Sequence, residues 1–496
     1  MKFCITTPIY YINGEPHIGH AYTSIAVDVL ARFKRLDGYD VHLSTGTDEH
    51  GIKVARSAEK ANMDVHRFCD MMSQKFRDMS SSMNIKYDDF IRTTEDRHIK
   101  AAQKLWTLIE KDIYESTYAG WYDPRDETFV TESDIVDGIA PSGGKVEWME
   151  EESYFFRLSA YQDKLLDYYE SHPDFIAPES RRNEIISFVK SGLKDLCISR
   201  SKFDWGIPVP NDDRHVMYVW IDALTNYLTS LGFPDDQENV NSFFPECIHI
   251  VGKEILRFHS VYWPAFLMAA GQPLPKRIFA HGWWTSEGQK MSKSVGNVVN
   301  PFEVAEKYGL DCLRYFLMKE VRFGEDGDFS MAGLKNRISY DLANDLGNLV
   351  QRVLAFIQKS DGHFKPDYNF SDGEKVLFDH SKQLIAKLRP LMNDQDLNGA
   401  LSTIWELISE SNKFVNDQKP WELAKQKNPK LLTVLTALCE AIKTIAFAIA
   451  PFMPNTASKI FGYLNVKGDF FAEIDEKFSE QDLPKPSPLF MKVDQC

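Results

Sequence analysis

The sequence predicts an α/β protein: a split, doubly wound parallel sheet with a small β-rich insertion, followed by an α-helical bundle. Three observations carry this reading. An apolar, β-prone segment near the N-terminus leads through a Pro/Gly loop into an amphipathic helix and then a second buried strand. An aromatic, acidic, Gly/Pro-rich stretch at about residues 117–144 interrupts that alternation. From about residue 339 a helical period takes over. The 496 residues leave room for such a plan, since domains run to about 100–200 residues each.

The elements follow in order. Residues 3–7 form the first strand; Pro8, Asn13, Gly14 and Pro16 mark a loop; residues 17–36 form a helix with Ile25, Val29, Leu30 and Phe33 on one face, stopped by Gly38. Residues 39–44 read as a buried strand that ends in the polar cluster Gly46-Thr47-Asp48-Glu49-His50-Gly51. Strand, helix, strand with polar residues at the strand carboxyl ends is the plan of a Rossmann-type nucleotide-binding sheet. In the insertion, Tyr118, Trp121, Tyr122 and Phe129 stand among Asp123, Arg125, Asp126 and Glu127. The sheet is expected to resume at residues 216–220 and 247–252, with a further strand at 278–282 and a polar loop carrying Lys290 and Lys293. Leu342, Leu346, Leu349, Val353 and Phe356, and later Ala400, Ile404, Leu407, Ile408 and Phe414, set the bundle's period. The boundaries are 1–115 and 216–280 for the two sheet halves, 116–215 for the insertion, 281–340 for the loop region and 341–496 for the bundle, with a poorly ordered tail after about residue 484.

Composition excludes several classes. The formal net charge is −15, with 43% hydrophobic residues, so disordered and fibrous chains are ruled out, and a nucleic-acid partner must be met by local groups, because phosphate binding is driven by Lys and Arg. Residues 341–496 hold 18 basic and 21 acidic residues, a net −3, so the acidity lies mainly in the first two thirds. No run reaches the about 18 apolar residues of a membrane span. Seven scattered cysteines with no Cys-x-x-Cys pair read as reduced thiols rather than a metal cluster. The start of the chain leaves no room for a signal peptide.

Two groups carry chemistry. Pro16-His17-Ile18-Gly19-His20 places two imidazoles three apart at a helix N-terminus, where backbone N–H groups and the dipole favour an anion, and Gly19 lets a flat ring or phosphate approach the backbone. A capping pair, a surface pair or a metal pair would look the same. Lys290-Met291-Ser292-Lys293-Ser294, between Gly288 and Gly296, puts two ammonium groups on a flexible loop that can close over a phosphate; alone it also reads as a solvated basic turn.

Together these stretches resemble the HIGH and KMSKS signatures of class I aminoacyl-tRNA synthetases. Residues 7–14, 45–51, 218–223 and 252–259 resemble the methionyl family within that class, over residues 3 to about 461. The resemblance implies a ligase that activates L-methionine with ATP and transfers it to tRNA(Met). It implies ATP contacts from His17, Gly19, His20, Lys290, Ser292 and Lys293, with Mg²⁺ on the phosphates. His17, His20, Lys290 and Lys293 would be the catalytic donors, with His20 and Lys293 most important in the transition state. It further implies a methionine pocket of Ile9, Tyr11, Trp220, Ala223, Tyr227, Ile255 and His259, with Asp48 holding the ammonium, and anticodon contacts from Asn348, Arg352 and Trp421. Apolar and aromatic walls suit a long thioether, and aromatics or guanidinium planes suit splayed RNA bases.

The sequence departs from many members of the family in one place. They carry Cys-x-x-Cys pairs for zinc in the inserted knuckle, whereas residues 118–129 here hold no cysteine. A knuckle without structural zinc, organised by aromatic packing and by Arg125 among its acids, is expected. Synthetases for leucine, isoleucine and valine need an editing domain of about 200 residues, because one methylene discriminates weakly, and none fits here; the cysteine enzyme is expected to use metal-bound thiolate recognition. Small nucleotidyltransferases share the HxGH pattern but are shorter and lack such a bundle, and a non-catalytic tRNA-binding relative would have lost parts of the signatures. The expected enzyme is a cytoplasmic monomer with no membrane partner.

Overall fold

The computed structural model describes the chain apart from residues 124–127, 131, 142, 292–296, 360–361 and 492–496. Its first strand, β1 (Lys2–Thr6), runs into a loop that contributes the short β2 (Tyr10–Tyr11), then helix α1 (Ile18–Leu36), then β3 (Asp40–Asp48) and, two helices later, β4 (Asp89–Arg92). After the insertion come β5 (Ile176–Ala177), β6 (Cys247–Gly252) and β7 (Arg277–His281). These seven strands form one sheet in the order β2-β3-β1-β6-β7-β5, with β4 also paired to β3. Every pairing is parallel. Gly46 is required where β3 passes β4: a Cβ there would stand 2.0 Å from the Ile91 carbonyl oxygen.

A parallel sheet must be covered on both faces, and alternate strand residues show how. Phe3 and Ile5 of β1, Ile248 and Ile250 of β6 and Phe279 of β7 enter one apolar cluster; Cys4, Cys247, Val251, Ile278 and Ala280 enter a second. The first contains the buried face of α1 and continues into the C-terminal helices. The second contains α2 (Asp96–Ile109), α3 (Val219–Thr229) and the helix Trp263–Ala270. The carboxyl ends of β1, β3, β6 and β7 therefore open together between the two covers, where α/β sheets bind ligands.

The strand expected at residues 216–220 is a correction. Asp212–Met217 is a strand, but it pairs antiparallel with Ser199–Arg200 and Pro208–Val209 in a separate three-stranded sheet, and α3 starts at Val219. A β-prone run records burial and backbone preference but not its partner, and the place beside β1 is taken by β6. The insertion is a long hairpin of Ile113–Asp123 against Glu147–Phe156, with Trp121 opposite Trp148 in an edge-to-face pair at 5.4 Å. Tyr114 stacks on Phe155 at 5.7 Å. Arg125 lies outside the described residues, and among those described no group of three or more His, Cys, Asp or Glu side chains is placed to hold a metal ion.

The bundle comprises α4 (Asn348–Gln358), α5 (Asp372–Asn393), α6 (Leu397–Gln418), α7 (Lys430–Ile449) and α8 (Pro454–Leu464). By length and composition α7 could cross a membrane, yet 94% of its apolar window is buried among its neighbours. Carbonyls in the turn just past its end anchor the bundle to the sheet half. Arg314, fully buried, donates to the Pro451 and Phe452 carbonyls at 2.9 Å, to the Met83 carbonyl at 3.0 Å and to Asp28 of α1 at 2.7 Å. The segment after residue 484, expected to be poorly ordered, packs back on the bundle as far as residue 490, with Tyr463 bonded to Ser487 and Leu489 and Phe490 against the core, just after Gln481–Asp482 has paired with His363–Phe364. Gln358, on the last turn of α4, donates to the Leu483 carbonyl, which a composition-based reading of a polar, proline-rich end cannot foresee.

Candidate active site

The chain leaves β1, crosses a loop over the sheet end and starts α1 at Ile18 with His17 as the N-cap. The Nδ1 of His17 accepts from the Gly19 N–H at 3.1 Å, and the Nδ1 of His20 accepts from the His17 N–H at 3.2 Å. This is a capping box built from imidazoles. The rings lie 3.9 Å apart, and a side chain on Gly19 would crowd the His17 ring at 3.0 Å. Because each Nδ1 receives a backbone proton, the proton of each neutral ring sits on Nε2. Capping and lining the cavity are thus compatible, and the N–H groups of His17 and Gly19 at the helix start are bound by the rings rather than open to an anion. Tyr10, buried against Phe76 at 5.5 Å, meets His20 edge-on at 4.9 Å.

Above the strand ends lies a cavity of about 850 Å³. Ile9, Tyr11, Asp48, Trp220, Ala223, Tyr227, Ile255 and His259 all line it, as do His17, Gly19 and His20. Their elements explain the convergence. Asp48 ends β3; Trp220, Ala223 and Tyr227 follow at spacings of three and four on α3, one helix face; Ile255 and His259 follow β6 at the same spacing. Trp220 lies flat on Phe258 at 3.6 Å.

His259 is the best-defined group. Its Nδ1 is 2.9 Å from the Ile255 carbonyl, which can only accept, so Nδ1 carries the proton and Nε2 accepts from the Tyr227 hydroxyl at 2.7 Å. Burial lowers the pKa of this imidazole to about 4 and pushes the Tyr227 phenol well above its ordinary range. The polar part of the wall at Tyr227 and His259 therefore has its hydrogen bonds spent internally.

The structure adds residues that the sequence reading missed. Thr23 and His281 line the same cavity, with Thr23 Oγ1 2.8 Å from His281 Nε2, while His281 Nδ1 donates to the Gly282 carbonyl at 2.8 Å. Burial lowers the His281 pKa as well. Glu254 accepts from the Trp283 indole at 2.7 Å at the cavity rim. Position at the carboxyl ends of β6 and β7 is the signal that could have found Glu254, His281 and Trp283; Thr23, inside α1, carries no such signal.

The Lys290 backbone pairs with Thr285 in a hairpin turned at Glu287 and Gly288, both with positive φ. Ser292 and Lys293, and the Lys290 side chain, lie outside the described residues. Met291 and Val298, on either side of that stretch, line the cavity. Far along the chain, Arg352 lies 5.8 Å from the Trp421 ring and donates to Asn416 at 2.9 Å, with exposed Asn348 one turn earlier on α4.

Comparison with known proteins covers nearly the whole chain. The family described as tRNA synthetases class I (M) matches residues 3–145 and 132–354, and the anticodon-binding domain of tRNA ligase matches residues 374–494. A methionine–tRNA ligase of Brucella suis is 51% identical over 501 residues, 99% of this chain and 97% of that protein. One of Rickettsia conorii is 51% identical over 471 residues, 94% of this chain and 93% of that protein. Mycobacterium tuberculosis methionyl-tRNA synthetase in complex with methionyl-adenylate superimposes with a TM-score of 0.96 at 47% identity, covering 99% of this chain and 100% of that one. The apo form of that synthetase gives 0.90 at 44% identity, covering 99% and 98%.

Proposed function

The chain belongs to the class I tRNA synthetases, among the methionine–tRNA ligases, and from that membership we propose how its residues divide the reaction. The enzyme activates L-methionine with ATP to methionyl-adenylate and pyrophosphate and transfers methionine to the 3′-terminal ribose of tRNA(Met). In the first step the methionine carboxylate attacks the α-phosphorus in line and pyrophosphate leaves; in the second a ribose hydroxyl attacks the acyl carbon and AMP leaves. Neither step needs a protein nucleophile, so the protein's task is to place the reactants and neutralise charge on the phosphates.

In this reading His17 and His20 donate from Nε2–H to the phosphates, with Gly19 admitting the nucleotide, and Lys290, Ser292 and Lys293 close from the other side. Ile9, Trp220, Ala223, Tyr227, Ile255 and His259 surround the thioether, Tyr11 closes the wall, and Asp48 takes the ammonium. Mg²⁺ would supply charge neutralisation to the ATP phosphates, and among the described residues no group of three or more His, Cys, Asp or Glu side chains is placed to hold it. Asn348, Arg352 and Trp421 offer an amide, a guanidinium and an indole to anticodon bases. The protein acts as a cytoplasmic monomer.

The observation that carries the reading is that all eight residues of the methionine set share one cavity with His17, Gly19 and His20. The test is amino-acid-dependent ATP–pyrophosphate exchange across the twenty amino acids. Exchange supported by methionine alone is expected, and exchange driven by another amino acid at comparable kcat/KM would displace the assignment.

A further inference from the structure

Behind the methionine pocket lies a buried Asp–His–His cluster that no step of the reaction uses. Asp222, fully buried on α3, accepts at one oxygen from His50 Nδ1 at 2.6 Å and at the other from His98 Nε2 at 2.8 Å. His98 Nδ1 is 3.1 Å from Thr229 Oγ1 on the same helix as Asp222. Burial opposes ionisation of Asp222, but the two imidazoles outweigh it and hold its pKa below the usual carboxylate value. The three residues come from three elements: the loop after β3, α2 and α3.

What this cluster holds is the turn that leaves β3 directly after Asp48. In Asp48-Glu49-His50 each residue has a different direction. Glu49, fully buried, is bound by Arg92 at 2.8 and 3.1 Å and by Thr94 at 2.5 Å on the β4 side. The Glu49 carbonyl accepts from the Trp205 indole at 2.7 Å. His50 is bound by Asp222 on the α3 side. Asp48, between these two anchors, faces the cavity. A carboxylate buried in a helix is costly unless it is fully paired, and an apolar residue of that size would pack more cheaply. Its benefit must therefore be positional. Asp222 sits between Trp220 and Ala223, so its bond to His50 connects the pocket wall directly to the loop of the ammonium acceptor.

We propose that Asp222 is a positioning residue for methionine selection: through His50 it holds the Asp48 carboxylate at a fixed separation from Trp220, Ala223 and Tyr227. The inference rests on the reading of Asp48 as the ammonium acceptor. A substrate is then measured between two points, ammonium and thioether, on elements tied together from behind. ATP, bound at the His17 end, does not depend on that tie.

Two variants of the full chain test it. His50→Gln exchanges the rigid imidazole for a flexible amide that no longer fixes the spacing, and leaves the Asp222–His98 pair; Asp222→Asn weakens both bonds. In ATP–pyrophosphate exchange each should raise KM for methionine about tenfold or more while KM for ATP stays within about twofold. The inhibition constant of 4-(methylthio)butanoate, which has the thioether and carboxylate but no ammonium, should also stay within about twofold. In an Asp48→Asn background, His50→Gln should add nothing further, because the group it positions is gone. A His50→Gln enzyme with unchanged methionine KM overturns the proposal. So does parallel weakening of methionine, ATP and the des-amino analogue, the signature of a generally loosened fold. Asp48→Asn measured alone keeps the two readings apart: an unchanged methionine KM there removes the ammonium assignment and this inference with it, whereas a large rise there with none in His50→Gln removes only the positioning role.

Discussion

Replacing Tyr227 with phenylalanine removes a single hydroxyl from the proposed methionine pocket, and the hydrogen-bond geometry states what that hydroxyl does. The Ile255 carbonyl fixes the His259 proton on Nδ1, so Nε2 is an acceptor whose donor is Tyr227 at 2.7 Å. In Tyr227→Phe that acceptor is left inside a site where His259 is 2% exposed. In the empty cavity a water can take the hydroxyl's place. The thioether arm of methionine has no proton to offer, so binding it drives the water out and the penalty falls on the bound state alone. A stranded buried acceptor costs about 1–3 kcal/mol, which is about 5–150-fold in affinity. KM for methionine in ATP–pyrophosphate exchange should rise by that factor at saturating ATP, with KM for ATP unchanged because ATP is proposed to bind at the His17 and His20 end of the cavity. Intrinsic tryptophan fluorescence on methionine binding gives the same constant without turnover. A methionine KM within about twofold of the parent enzyme would refute the reasoning, since an acceptor sealed by the substrate cannot lose its donor for less than about 1 kcal/mol.

The same neutral imidazole gives the protein a pH dependence. Burial lowers the His259 pKa from 6.5 to about 4, and His249 is lowered too, so the unfolded chain binds more protons in that window. Stability should therefore fall as pH drops from about 6.5 toward 4, by up to about 1.4 kcal/mol per pH unit for each histidine; urea midpoints that do not move between those limits would contradict it. Arg314→Met should cost about 3–5 kcal/mol, because it strips a guanidinium from the Pro451 and Phe452 carbonyls and from Asp28 in a fully buried interface. The check is urea unfolding together with limited proteolysis, with earlier cleavage between the sheet half and the bundle expected. Trp421→Ala should raise KM for tRNA by the about 1–3 kcal/mol that base stacking on an aromatic contributes and leave amino-acid-dependent exchange as it was; normal aminoacylation by that variant would count against the anticodon assignment.

The residues that were legible in the sequence share a property: their local backbone setting decides where they point. Asp48 follows a buried strand, Trp220, Ala223 and Tyr227 are spaced for one helix face, and His17 begins a helix. Once β1, β3 and β6 lie side by side, such residues meet at the strand ends whatever the details of the packing. The strand expected at residues 216–220 belongs instead to Asp212–Met217 of a separate sheet, because a β-prone pattern is the same in any sheet and pairing is settled by which edge is vacant. Thr23 and His281 were missed because their hydrogen bond joins positions 258 apart, and nothing in either segment names the other. The two-residue strand β5 returns from the insertion to the sheet edge beside β7, a pairing too short to leave any period.

The paired histidines show why a structural and a chemical explanation of one motif need not compete. A pair at i and i+3 on a first turn is what a cap looks like, and here it is a cap, with both Nδ1 atoms taken by backbone N–H groups. That use of Nδ1 is also what leaves the proton on Nε2 of a ring that lines the cavity. A free imidazole would divide itself between two tautomers and many orientations, and part of any phosphate contact would be spent on fixing them. The cap fixes both before ATP arrives. The far end of α1 is held as firmly: Lys34 donates to Asn393 at 2.7 Å and Arg389 to Asp37 at 2.8 Å, both across to the bundle. The net charge of −15 is no obstacle to a nucleotide or an RNA under these conditions, because the contacts depend on a few donors whose direction is set in advance rather than on the average sign of the surface.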